Sequence, residues 1–106
     1  MNSTAQTILS QIGGGRFIAM TGAKSFGDHG DALSFRLPSN FATKGINYVK
    51  ITLDADDTYS VTFGKVRGLK YTVISTFSMI YCDMLTELFE RETGLATSLG
   101  RSVRVA

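Results

Sequence analysis

A single cysteine, Cys82, and a single histidine, His29, set the first limits on this chain. One cysteine excludes an internal disulfide framework, so the fold must stand on packing, as in a reducing compartment. With one His, one Cys and no paired carboxylates at strand or helix positions, the side chains that usually carry catalysis are scarce, and the chain reads as non-enzymatic. Long apolar runs are also missing. No stretch approaches the roughly 20 residues needed to span a bilayer. The opening MNSTAQTILSQIGGG has no basic start followed by an apolar run, so a secretory signal is not expected and a cytoplasmic protein is. Neither sign of charge dominates: eleven Lys and Arg against nine Asp and Glu leave +2, too little to demand a nucleic acid or an anionic membrane. No internal repeat appears, and nothing of low complexity beyond Gly13-Gly14-Gly15.

What is present points to one ordered domain over 1–106, with residues 96–106 as a loosely attached tail or short extra strand. The 43% hydrophobic and 19% charged content is that of a globular protein, so wholesale disorder is not expected. The strongest local pattern is Ile46 to Lys65, INYVKITLDADDTYSVTFGK. Val49, Ile51 and Leu53 alternate with Tyr48, Lys50 and Thr52, and after an Asp-rich turn Tyr59, Val61 and Phe63 alternate with Ser60, Thr62 and Gly64. Period-two alternation with β-branched and aromatic residues predicts a half-buried antiparallel hairpin.

Around that hairpin the pattern predicts further elements. Ser3-Thr-Ala-Gln6 has capping-box spacing, and Ala5, Ile8, Leu9 and Ile12 recur at helical spacing before the glycines. Arg16–Met20 reads as a first strand, followed by a loop, SFGDHGD. Ala32–Leu37 reads as a strand with Leu33, Phe35 and Leu37 inward, ended by Pro38. Tyr71–Thr76 reads as a fifth strand without a clear face. Ser78–Thr93 reads as a helix with Ile80, Tyr81, Met84, Leu85, Leu88 and Phe89 as its apolar stripe, closed by Gly94 and Leu95. The expected fold class is α+β: one antiparallel sheet of about five strands, in the order helix, five strands, helix, with both helices on its apolar face.

Several constellations suggest chemistry and fail on inspection. Gly22-Ala23-Lys24-Ser25 resembles the end of a phosphate loop, but the required G-x-x-x-x-G-K-[ST] is absent. Asp54, Asp56 and Asp57 offer oxygen ligands, yet the loop lacks the register, central glycine and distal Glu of an EF-hand, and Asp is a preferred turn residue. His29, in Asp28-His29-Gly30-Asp31, has no nucleophile tied to it along the chain. Cys82, beside the apolar stripe of the predicted helix, reads as a small buried hydrophobe. No metal or other cofactor is called for.

The remaining surface is electrostatic. Arg36, Tyr48 and Lys50 should share the solvent face of neighbouring strands, while Lys65, Arg67 and Lys70 cluster at one sheet end. Cations beside an aromatic on a sheet suit single-stranded nucleic acid. The alternative for the same surface is a protein partner: a host factor that the chain inhibits, or another subunit of an assembly. A small sheet must also leave edges, which favours a homodimer.

GGGRFIAMTGAKSF, LSFRLPSNF, GINYVKITLDADDTY and the closing ETGL are the pieces that carry a family likeness. Through them, up to about Leu99, the chain resembles a family of short uncharacterised proteins of bacteriophages and related mobile elements. That resemblance implies a phage or prophage setting in the bacterial cytoplasm and brings no catalytic residues with it.

Overall fold

The alternating middle of the chain becomes the centre of the sheet in the computed structural model, which describes residues 3–38, 42–95 and 97. Helices α1 (Ser3–Ile12) and α2 (Gly14–Thr21) precede β1 (Lys24–Asp28) and β2 (Ala32–Arg36). A 3-10 turn (Thr43–Gly45) leads into β3 (Tyr48–Leu53), β4 (Tyr59–Arg67) and β5 (Lys70–Ile80). A second 3-10 turn (Cys82–Met84) opens onto α3 (Leu85–Thr93). The five strands lie side by side in chain order, each antiparallel to the next. This is the expected α+β class, because short turns between successive strands leave no room for a crossover.

One face of the sheet is the core. Val49 pairs with Phe63 and Ile51 with Val61, and all four are buried together with Leu33, Phe35 and Tyr59. The helices supply Ala5, Ile8 and Ile12 from α1, Phe17 from α2, and Leu85, Leu88 and Phe89 from α3 to the same cluster. Phe17 meets Phe35 and Phe89 edge-on at 5.2 and 5.1 Å, and Phe63 meets Phe77 at 6.1 Å. Edge-to-face pairs like these contribute about 0.5–1.5 kcal/mol each beyond burial. The Tyr59 hydroxyl donates to Gln11 Oε1 at 2.6 Å, tying α1 to β4. The capping side chain expected at Ser3 and most of the tail at 96–106 lie outside the described residues. Thr97 is described, and its backbone N–H and hydroxyl both donate to Glu90 Oε2.

Four expectations are corrected. Arg16–Met20 is helical, within α2, not a strand. A short apolar run carries no period of its own, and Phe17 and Thr21, one helical turn apart, are its buried positions. Gly13 separates α1 from α2: its φ of 133° is open to glycine, and a Cβ there would lie 2.8 Å from Phe17 Cβ. The first strand is instead Lys24–Asp28, inside the expected loop, where Gly27 and Asp28 pair with Ser34 and Leu33.

The third correction concerns the C-terminal half of the sheet. β5 runs on to Ile80, so Ile80 and Tyr81 belong to no helix, and Tyr81 and Met84 are exposed. Register breaks between Tyr59/Val61 and Phe63/Gly64 mark two bulges on β5. Each bulge moves the strand by one residue, so Tyr71 and Val73 share a face with Gly64 while Ser75 and Phe77 share the other. That parity change erased the alternation. Fourth, Cys82 is exposed, because the 3-10 turn turns it away from the α3 stripe. Gly94 does close α3, with φ 75° and its N–H donating to Glu90 O at 2.9 Å.

Candidate functional site on the outer sheet face

Side chains that alternate with the core project to the opposite face. Pairing aligns them in rows: Arg36, Tyr48, Gly64 and Val73 in one, and Ser34, Lys50, Thr62 and Thr76 in the next. The expected grouping of Arg36, Tyr48 and Lys50 is therefore met in space. Lys50 has no carboxylate within ion-pair distance among the described residues, and neither does Arg36. The Arg36 Nε is buried and lacks any hydrogen-bond partner. A buried donor left unmade costs about 1–3 kcal/mol, more when charged, so this guanidinium sits in an unfavourable state.

Tyr71 was not foreseen here. Val66 pairs with Tyr71, which places its ring on the outer face beside Gly64. A Cβ at Gly64 would come within 2.6 Å of Tyr71 Cε1, so the missing side chain is what lets the ring lie flat across β4. From there Tyr71 meets Tyr48 edge-on, with centroids 5.4 Å apart. Tyr48, Lys50, Thr62, Val66 and Tyr71 line a shallow depression of about 380 Å³. Partial burial pushes the Tyr71 hydroxyl above its usual value of 10.0, and the neighbouring Tyr48 adds to the shift. The Tyr71 phenol is thus a neutral donor at physiological pH. The sequence signal for Tyr71 was weak because the bulge at Ile74 hides which face it shares.

Lys65, Arg67 and Lys70 do cluster, at the turn end of the β4–β5 hairpin, where Arg67 pairs with Lys70 and Lys65 with Thr72. They alternate with Gly64, Val66 and Tyr71, however, and so leave the sheet on the helix-bearing side. The Lys65 alkyl chain runs along Gly45 of the 3-10 turn, at 3.3–3.4 Å from where a Cβ there would stand. The six basic and aromatic residues thus form two separate surfaces.

The other motifs resolve locally. Asp56 Oδ1 accepts from the Thr58 hydroxyl at 2.6 Å and from its N–H at 3.2 Å, and Asp54 Oδ2 accepts from Ser60 at 2.6 Å. The Thr58 hydroxyl bond, then its backbone bond, hold the Asp56 carboxyl below its ordinary 3.8. The Asp-rich segment is a turn that caps its own backbone. His29 does have a hydroxyl partner: its Nε2 lies 2.8 Å from Ser34 Oγ across the β1–β2 turn. Ser34 is buried, so the pair pins the turn to the sheet and leaves little access to the oxygen. Comparison with protein-family models, curated proteins and solved structures finds no match to this chain.

Proposed function

We propose that the chain is a small non-enzymatic binding module whose outer sheet face holds single-stranded nucleic acid. The observation that carries this reading is the Tyr48–Tyr71 pair across Gly64, flanked by Lys50 and by an Arg36 with no acidic partner. Every base has a π-face, so aromatic platforms beside cations bind single strands with little sequence preference. With no carboxylate neutralising it among the described residues, the Arg36 charge is free to pair with a phosphate.

The test is fluorescence polarisation with a labelled oligonucleotide across a salt series. Arg36→Ala with Lys50→Ala is expected to weaken binding and to flatten the salt slope by roughly 1–2 units, because two phosphate contacts are lost. Tyr48→Ala is expected to weaken binding with the slope unchanged, since stacking releases no counterions. Absence of binding by the wild-type protein at low salt ends this reading. The protein-partner reading would then stand in its place, and one observation favours it on its own: the exposed apolar side chains of β5.

A further inference from the structure

We propose that β5 is a self-association edge, and that two copies pair antiparallel along it to join their sheets into one of ten strands. Six large apolar side chains are exposed among the described residues, and all six lie between residues 69 and 84: Leu69, Tyr71, Val73, Met79, Tyr81 and Met84. Leu69 at the hairpin tip is fully exposed, and Val73 and Met79 are 52% and 58% exposed. Tyr71, Val73 and Met79 lie on β5 and the other three flank it in the chain, and β5 ends the sheet order.

The two edges of the sheet are built differently. Exposed edges are normally kept short, charged or bulged, because their free N–H and C=O groups template another strand. β1 follows that practice: it has five residues, Lys24 at one end and Asp28 at the other, and a register break between Lys24 and Gly27. β5 has eleven residues and carries no charge from Tyr71 through Cys82. Its bulges bend it, but no described strand occupies its outer side.

The charge arrangement selects a second copy as the occupant. Lys70 opens this edge with Arg67 paired beside it on β4, and Asp83 follows its other end in the second 3-10 turn. An antiparallel pairing lays the basic end of one copy beside the acidic end of its mate, twice over, and sets uncharged residues against each other between. A parallel pairing would oppose like ends. Two identical strands paired antiparallel are related by a two-fold axis perpendicular to the sheet. Both outer faces then lie on the same side. Since Tyr71 lies near the basic end of β5, the two Tyr48–Tyr71 depressions fall toward opposite ends of the joint, on the same side of the joined sheet. The association does not depend on nucleic-acid binding, and either can fail without the other.

The test is sedimentation and light scattering of the full chain over a micromolar concentration series. A dimer is expected for the wild type. Val73→Lys with Met79→Lys is expected to weaken it by roughly tenfold or more, because a two-fold interface presents each new like charge twice. Lys24→Glu on β1 is expected to leave the dimer intact. A monomer throughout the series, or a dimer that tolerates both lysines, overturns the proposal. Hydrogen exchange of the unaltered protein decides the matter should the lysine variant fold poorly. For the β5 amides that do not bond β4, protection that grows with concentration supports self-pairing. Protection of those same amides independent of concentration means that the chain covers this edge itself, and also overturns it.

Discussion

Gly64→Ala is the substitution that bears most directly on the outer face. The new Cβ would stand 2.6 Å from Tyr71 Cε1 and 3.1 Å from the Thr72 carbonyl oxygen. The ring is the softer obstacle, because Tyr71 is 48% exposed and can swing toward solvent. The carbonyl has to yield only a few tenths of an ångström. Stability should therefore fall by about 1–2 kcal/mol, the lower part of the overpacking range, with about 0.5–1.5 kcal/mol of it the lost ring pair. Single-strand binding should fall further in relative terms. Losing one stacking platform removes about 1–3 kcal/mol, or roughly 5- to 150-fold in Kd. The salt slope should not change, since neither Arg36 nor Lys50 is touched. Polarisation titrations of Gly64→Ala, Tyr71→Ala and the double variant separate this cause from general loosening. If alanine acts by evicting the ring, the double variant binds no worse than Tyr71→Ala alone, and the two effects are far from additive. Wild-type affinity in Gly64→Ala, or full additivity in the double variant, would refute the role given to the ring.

Two further substitutions test the frame that holds this face. Phe63→Ala, at a fully buried position against Phe77, should cost about 3–5 kcal/mol in chemical denaturation, and an unchanged midpoint would mean the hairpin faces are reversed. Asp56→Ala should lower stability at neutral pH, and the gap from wild type should close as pH falls. The sign follows from a folded-state pKa below 3.8: the contribution is present above that value and lost as pH drops through the lower folded one. Melts at neutral pH and well below 3.8 measure it, and a gap independent of pH would place the effect in the turn backbone instead.

The hairpin from Tyr48 to Arg67, the inward set Leu33, Phe35, Val49, Ile51, Val61 and Phe63, and the α1 stripe were legible in the sequence. In each of them a single period runs uninterrupted, and one face of every element is buried, so residue spacing alone carries the information. The same alternation placed Arg36, Tyr48 and Lys50 on one face. Where a bulge or a turn interrupts the period, spacing lost its meaning. Tyr71 joins Tyr48 because a bulge near Ile74 resets the parity of β5 and because Gly64, on another strand, leaves the space for its ring. Arg16–Met20 became helix because Phe17 had to reach Phe35 and Phe89, contacts 18 and 72 residues away in the chain. Lys65, Arg67 and Lys70 look continuous with the outer face in sequence and fall behind it in space, since one residue of offset in a strand is a change of side. Which side chains are neighbours across strands, and which edge of the sheet is left open, are properties of register, and only the folded chain sets register.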